Sequence, residues 1–156
     1  MSVELFYEEI FRIEQSSILI AMGASAIPLA KQTGRIMVVD DEVDIVFIIR
    51  RHLEKWGFDV DTFTDPQFAL QTYKDHADRY SVALVDIRMP EMSGIDLANR
   101  MLKVKPEMNV VIMTAFEVEP DELALNLPMV KRDDILKKPF TLVQVCNAVK
   151  KQLKVQ

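Results

Sequence analysis

The chain has 156 residues, 49% of them hydrophobic and 28% charged, which suits one soluble domain with its own core. Its 4 glycines exclude collagen and flexible low-complexity chains, and a net charge of −5 disfavours a nucleic-acid-binding surface. A single cysteine, Cys146, excludes an intramolecular disulfide framework and fits a reducing, cytoplasmic compartment.

Residues 1–35 read differently from the rest. Val3, Phe6, Ile10 and Ile13 fall at helical spacing, which predicts an N-terminal helical extension, partly ordered, that docks or oligomerises. The uncharged stretch between Glu14 and Lys31 is shorter than the roughly 20 apolar residues of a membrane span. It also contains Gln15, Ser16, Ser17 and Ser25, and the acidic start at Glu4, Glu8 and Glu9 argues against a signal peptide. A membrane partner is therefore disfavoured. The main domain is expected over 36–156.

From residue 35 onward, strands and helices alternate. An apolar run predicts a buried strand over 35–40, followed by a helix over 43–56 that Gly57 stops. A second strand is expected over 58–63. Asp65 is positioned to cap a helix with Pro66 at its first turn, running to about residue 76. The third strand, 82–86, is almost wholly apolar. A helix over 94–105, a fourth strand over 109–113, a short fifth strand at 135–136 and a last helix over 141–153, capped by Thr141, complete the pattern. Alternating elements with apolar strands imply an α/β fold: a parallel sheet covered by helices on both faces, with right-handed crossovers. Cys146 belongs to the core. Lys150, Lys151 and Lys154 suit a helix C-terminus. His52 and His76 have no partner at metal-ligand spacing.

In open α/β sheets, ligands bind beyond the carboxyl ends of the strands. Here those ends carry Asp40-Asp41, Asp86, Thr114-Ala115 and Lys137-Lys138-Pro139. Taken singly, these are ordinary cap and turn residues. Together they place three carboxylates, a hydroxyl and a lysine on one rim. Clustered carboxylates repel one another, and a divalent cation relieves the conflict. Oxygen-only ligands suit Mg²⁺, which leaves room for phosphate. The set points to phosphoryl transfer, in which a carboxylate can itself become an aspartyl phosphate.

Residues 36–153 resemble the receiver domain of two-component response regulators. The resemblance rests on Ile36-Met37-Val38-Val39-Asp40-Asp41-Glu42, on Leu84-Val85-Asp86-Ile87-Arg88-Met89-Pro90-Glu91-Met92-Ser93-Gly94, on Thr114-Ala115 and on Lys138-Pro139-Phe140. It implies a flavodoxin-like, doubly wound, five-stranded parallel sheet of order 2-1-3-4-5. It also implies that Asp86 accepts phosphate from a phosphohistidine on a sensor histidine kinase or histidine phosphotransfer protein. Mg²⁺ would be bound by Asp41, Asp86 and the backbone carbonyl of Arg88, with Asp40 acting through a water. Thr114-Ala115 would form the phosphate-binding switch, Lys138 would pair with the phosphate, and a cis bond before Pro139 would aim that lysine. Gly94 would allow the turn into the third helix.

Three features depart from the family pattern. Where a Tyr or Phe usually precedes the lysine by three residues, this chain has Ile135, stiff at χ1 and without a hydroxyl, so an aromatic flip cannot report the phosphate. After the fourth strand, Pro120 and Pro128 bracket a short acidic stretch, so the fourth helix is expected to be short, displaced or missing. That places in doubt a face the family uses for output and for homodimer formation. The usual Gly-Ala before the fifth strand is replaced by Lys131-Arg132.

On the first helix, Ile45, Ile49, Leu53 and Trp56 form the expected core face, with Ile48 and His52 at its edge. Val43 and Phe47 point the other way, and the resemblance makes them candidate kinase-docking residues. The expected protein is a stand-alone receiver, since the chain ends three residues after Leu153, acting through a downstream protein or by passing phosphate on. It is not an enzyme beyond its own aspartyl phosphorylation and dephosphorylation. The rival expectation is a phosphorylation-independent interaction module that keeps the pocket and signals through the extension. A phosphatase with an aspartyl nucleophile is a third, but Asp86-Ile87-Arg88 lacks the Asp-x-Asp pattern such enzymes favour.

Overall fold

Val38 and its neighbours Ile36, Met37 and Val39 are all fully buried, so the first strand presents apolar side chains to both sides of its sheet. A computed structural model describes residues 34–115 and 125–154. Residues 1–33 of the extension expected over 1–35 and the Pro120 end of the expected fourth-helix stretch lie outside the described residues, while Arg35 already belongs to the first strand. The strands are β1 (Arg35–Val39), β2 (Asp59–Phe63), β3 (Tyr80–Asp86), β4 (Asn109–Thr114) and β5 (Ile135–Lys137). Between and after them lie α1 (Val43–Lys55), α2 (Pro66–His76), α3 (Gly94–Val104) and the last helix, α4 (Leu142–Leu153), with short 3-10 turns at Ala77–Arg79 and Arg132–Asp134.

All five strands pair in parallel, in the order β2-β1-β3-β4-β5. Period-two alternation sends Met37, Val39, Ala83, Val85, Val110 and Ile112 to one face, where Ala69, Leu70 and Tyr73 of α2 and Leu97, Ala98 and Met101 of α3 cover them. Ile36, Val38, Val82, Leu84, Val111 and Met113 face the other way, against Val46, Ile49 and Leu53 of α1 and Val145, Cys146 and Val149 of α4. This is the flavodoxin-like sheet expected from the sequence.

Local chemistry sets the helix starts. Asp65 accepts hydrogen bonds from the N–H groups of Gln67 (2.8 Å) and Phe68 (3.2 Å), with Pro66 in the first turn of α2. Ser93 caps α3 by accepting from Asp96 N–H at 3.1 Å. Thr141 and Gln144 form a reciprocal capping box on α4, with distances of 3.2 and 2.7 Å. Gly57 follows α1 at φ +86°, a left-handed conformation that a side chain would strain.

Several boundaries shift by a residue or two. Trp56 and Lys105 cap their helices rather than extending them. β1 stops at Val39, leaving Asp40 beyond the strand. β3 starts at Tyr80, because Tyr80 pairs with Arg35 of β1 even though Ser81 interrupts the apolar run. The buried face of α1 is centred on Val46, Ile49 and Leu53, with His52 also buried, while Ile45 and Trp56 are only half-buried. Apolar residues occupy more than half the circumference of this helix, so its period alone does not choose between Ile45 and Val46.

Candidate functional site

The register of the sheet builds the site. Val39 of β1 lies beside Val85 of β3, so the next residues along, Asp40 and Asp86, emerge at the same rim. Asp86 lies beside Met113, which brings Thr114 to that rim, and Thr114 lies beside Lys137, which brings up Lys138. The backbone N–H of Lys138 donates to the Thr114 carbonyl at 2.7 Å, and the Lys138–Pro139 peptide bond is cis, as expected.

The side chains meet. Carboxylate oxygens of Asp40, Asp41 and Asp86 all lie within 4.8 Å of one another. Lys138 Nζ donates to Asp40 Oδ2 at 2.7 Å, stands 3.0 Å from Asp86 Oδ1 and approaches Glu42 Oε1 at 3.5 Å. Asp40 also accepts a hydrogen bond from the Glu42 N–H at 3.0 Å. Asp40, Asp86 and Thr114 are buried, whereas Asp41, Arg88 and Ala115 are exposed around them.

Burial works against charge here. It raises the proton affinity of Asp40, opposed by the hydrogen bonds from Lys138 and from Glu42 N–H. It raises that of Asp86 too, with Lys138 opposing and the charges of Asp40 and Asp41 adding to the effect. Burial also disfavours the Lys138 cation, but its hydrogen bonds to Asp40 and Asp86 prevail and hold it protonated above the ordinary lysine value. Three converging carboxylates with one ammonium therefore leave an excess of negative charge. An oxygen-only set of this kind fits a hard divalent cation such as Mg²⁺.

Gly94 acts by close approach. A Cβ at this position would stand 1.9 Å from the Asp86 carbonyl oxygen, while its N–H donates to the Ile87 carbonyl at 2.8 Å. The first turn of α3 is thereby seated on the backbone that carries Asp86. Ile135 opens β5 half-buried, against the core face formed with α2 and α3. On α1, Val43 is exposed and Phe47 partly so, with the Arg51 guanidinium 5.6 Å from the Phe47 ring centre. Sequence reasoning included Glu42 in the motif but assigned it no role; its adjacency to Asp40-Asp41 was the only available signal.

The family model of the response regulator receiver domain matches residues 36–150. A relative described as response regulator receiver protein CpdR, from Brucella abortus, is 32% identical over 76% of this chain and 96% of its own length. The Bacillus subtilis alkaline phosphatase synthesis transcriptional regulatory protein PhoP is 32% identical over 74% of this chain, but the chain spans only 47% of PhoP. A solved receiver domain from Clostridium thermocellum superposes with a TM-score of 0.70 at 27% identity, covering 78% of this chain and 94% of that one. The fold and the family match define a signalling module of the doubly wound α/β class. The chain belongs to the response regulator receiver family of two-component signalling, in which phosphorylation and Mg²⁺ binding are general features. Receiver domains are signalling modules rather than classical enzymes, and they interact with histidine kinases or phosphotransfer proteins. Among the described residues, no helix is long and apolar enough to cross a membrane.

Proposed function

We propose that this receiver takes a phosphoryl group on Asp86 and signals by changed protein contacts or by passing the phosphate on. The observation that carries this reading is the convergence of the Asp40, Asp41 and Asp86 oxygens within 4.8 Å, with Lys138 Nζ 3.0 Å from Asp86. A carboxylate oxygen of Asp86 attacks the phosphorus of a phosphohistidine. The P–N bond breaks, its electron pair stays on the imidazole nitrogen, and an acyl phosphate remains on Asp86. Asp41, Asp86 and the Arg88 carbonyl would hold Mg²⁺, with Asp40 acting through a water, and the ion would supply neutralisation of phosphoryl oxygen charge. Lys138 adds a fixed ammonium beside Asp86, and the Thr114 hydroxyl donates to a phosphoryl oxygen after transfer. Ile135 cannot report the phosphate by an aromatic flip, so Thr114-Ala115 and Lys138 carry the change. The donor is a sensor histidine kinase or histidine phosphotransfer protein docking on α1 at Val43 and Phe47.

The test is incubation with acetyl phosphate and Mg²⁺, read by intact mass. A gain of one phosphate that Asp86→Asn abolishes is the expected result. No gain would overturn this reading in favour of a phosphorylation-independent interaction module, and turnover of an added phosphoester would point to a hydrolase instead.

A further inference from the structure

Lys138 has more carboxylate around it than the pairing with a phosphate requires. Two of its neighbours, Asp40 at 2.7 Å and Asp86 at 3.0 Å, belong to the carboxylate cluster, so the ammonium is paired with groups that a divalent cation would also use. The third, Glu42 at 3.5 Å, is not a member of that cluster, and its side chain is 64% exposed at the mouth of the pocket. Glu42 is the N-cap residue of α1, yet its side chain makes no capping hydrogen bond. Its N–H is instead fixed to Asp40 Oδ1 at 3.0 Å, and its carboxylate is directed to Lys138.

We infer that Glu42 is a positioning residue that acts on cation binding through Lys138. A divalent cation and the lysine compete for the negative charge of the same carboxylates, Asp40 and Asp86. Glu42 offers the ammonium an anchor at the rim, so an entering cation shifts Lys138 onto a carboxylate rather than stripping it of all partners. The displacement therefore costs less than it would without Glu42. This inference rests on Asp40, Asp41 and Asp86 being the Mg²⁺ site. Glu42 is exposed, so its effect is that of a surface ion pair, roughly two- to fivefold in a binding constant.

Calorimetric titration of Mg²⁺ into wild type, Glu42→Gln, Lys138→Met and the double variant separates the alternatives. Glu42→Gln is expected to weaken Mg²⁺ binding roughly two- to fivefold when Lys138 is present, and far less in the Lys138→Met background. Glu42→Asp, which keeps the charge, recovers part of the loss. Equal weakening in both backgrounds overturns the inference, because Glu42 would then act on the cation by its own charge. No weakening in either background, or tighter binding, overturns it as well. Failure of the wild-type protein to bind Mg²⁺ removes the metal site and the inference with it, whereas the other adverse outcomes leave wild-type binding intact.

Discussion

A methyl group on Gly94 would stand 1.9 Å from the carbonyl oxygen of Asp86. No rotamer change relieves a clash with backbone, so either α3 or the Asp86 loop must move. Gly94→Ala is expected to cost about 1–3 kcal/mol, in line with overpacking at a tight contact, and to slow phosphorylation by acetyl phosphate. Urea denaturation and intact-mass kinetics check the two effects, and wild-type behaviour in both would show that the approach relaxes at no cost. The glycine was legible in the sequence as part of the motif, but its reason was not. A turn requirement was the expectation, whereas the structure shows helix-to-strand contact, which depends on residues eight positions apart meeting in space. Burial governs two other side chains. It pulls His52 down to about 4, with the Lys55 charge adding to the effect, and it pushes the Cys146 thiol up, against the opposing charge of Lys150. His52 is therefore neutral at neutral pH, and Cys146 is a protonated core residue.

The helices divide their work by face. α1 buries Val46, Ile49 and Leu53 against the sheet and leaves Val43 and Phe47 toward solvent. If this outer face receives a kinase, Phe47→Ala should take phosphate from acetyl phosphate at the wild-type rate and several-fold more slowly from the kinase. Unchanged transfer from the kinase would remove Phe47 as an anchor. α4 is held at both ends. Its capping box starts it at Thr141, and its last turn reaches the 3-10 turn before β5, where the Asp134 carboxylate accepts from Gln152 Nε2 at 2.6 Å and Lys151 Nζ at 3.2 Å. Lys150 lies over the Trp56 ring at 4.2 Å, tying α4 to the end of α1. The cap was readable from Thr141, because it is local; the reciprocal bond from Gln144 was not assigned in advance. The ties to Asp134 and Trp56 were not, because they join residues far apart in the chain. Lysines near a helix C-terminus are favoured by the macrodipole alone, which hid their specific partners.

At the scale of the whole molecule, a cation bound only by the folded state stabilises that state by mass action. Mg²⁺ at millimolar concentration is expected to raise the wild-type melting temperature, and Asp41→Asn should lose most of that rise. A shift of equal size in the variant would remove Asp41 from the metal site. Three of the chain's 24 acids converge here: Asp40 and Asp41, just past β1, and Asp86, the last residue of β3, lie far apart in sequence and share one rim. Fold class and the members of this rim were already legible along the chain. Apolar runs of strand length between helical periods demand a parallel sheet, and residues just past the C-terminal ends of parallel strands must share an edge. How Lys138 divides itself among Asp40, Asp86 and Glu42, which face of α1 packs, and why Gly94 must lack a side chain emerged only from the folded chain. Those outcomes depend on strand register and on distances of a few ångströms between distant residues, which periodicity along a chain does not encode.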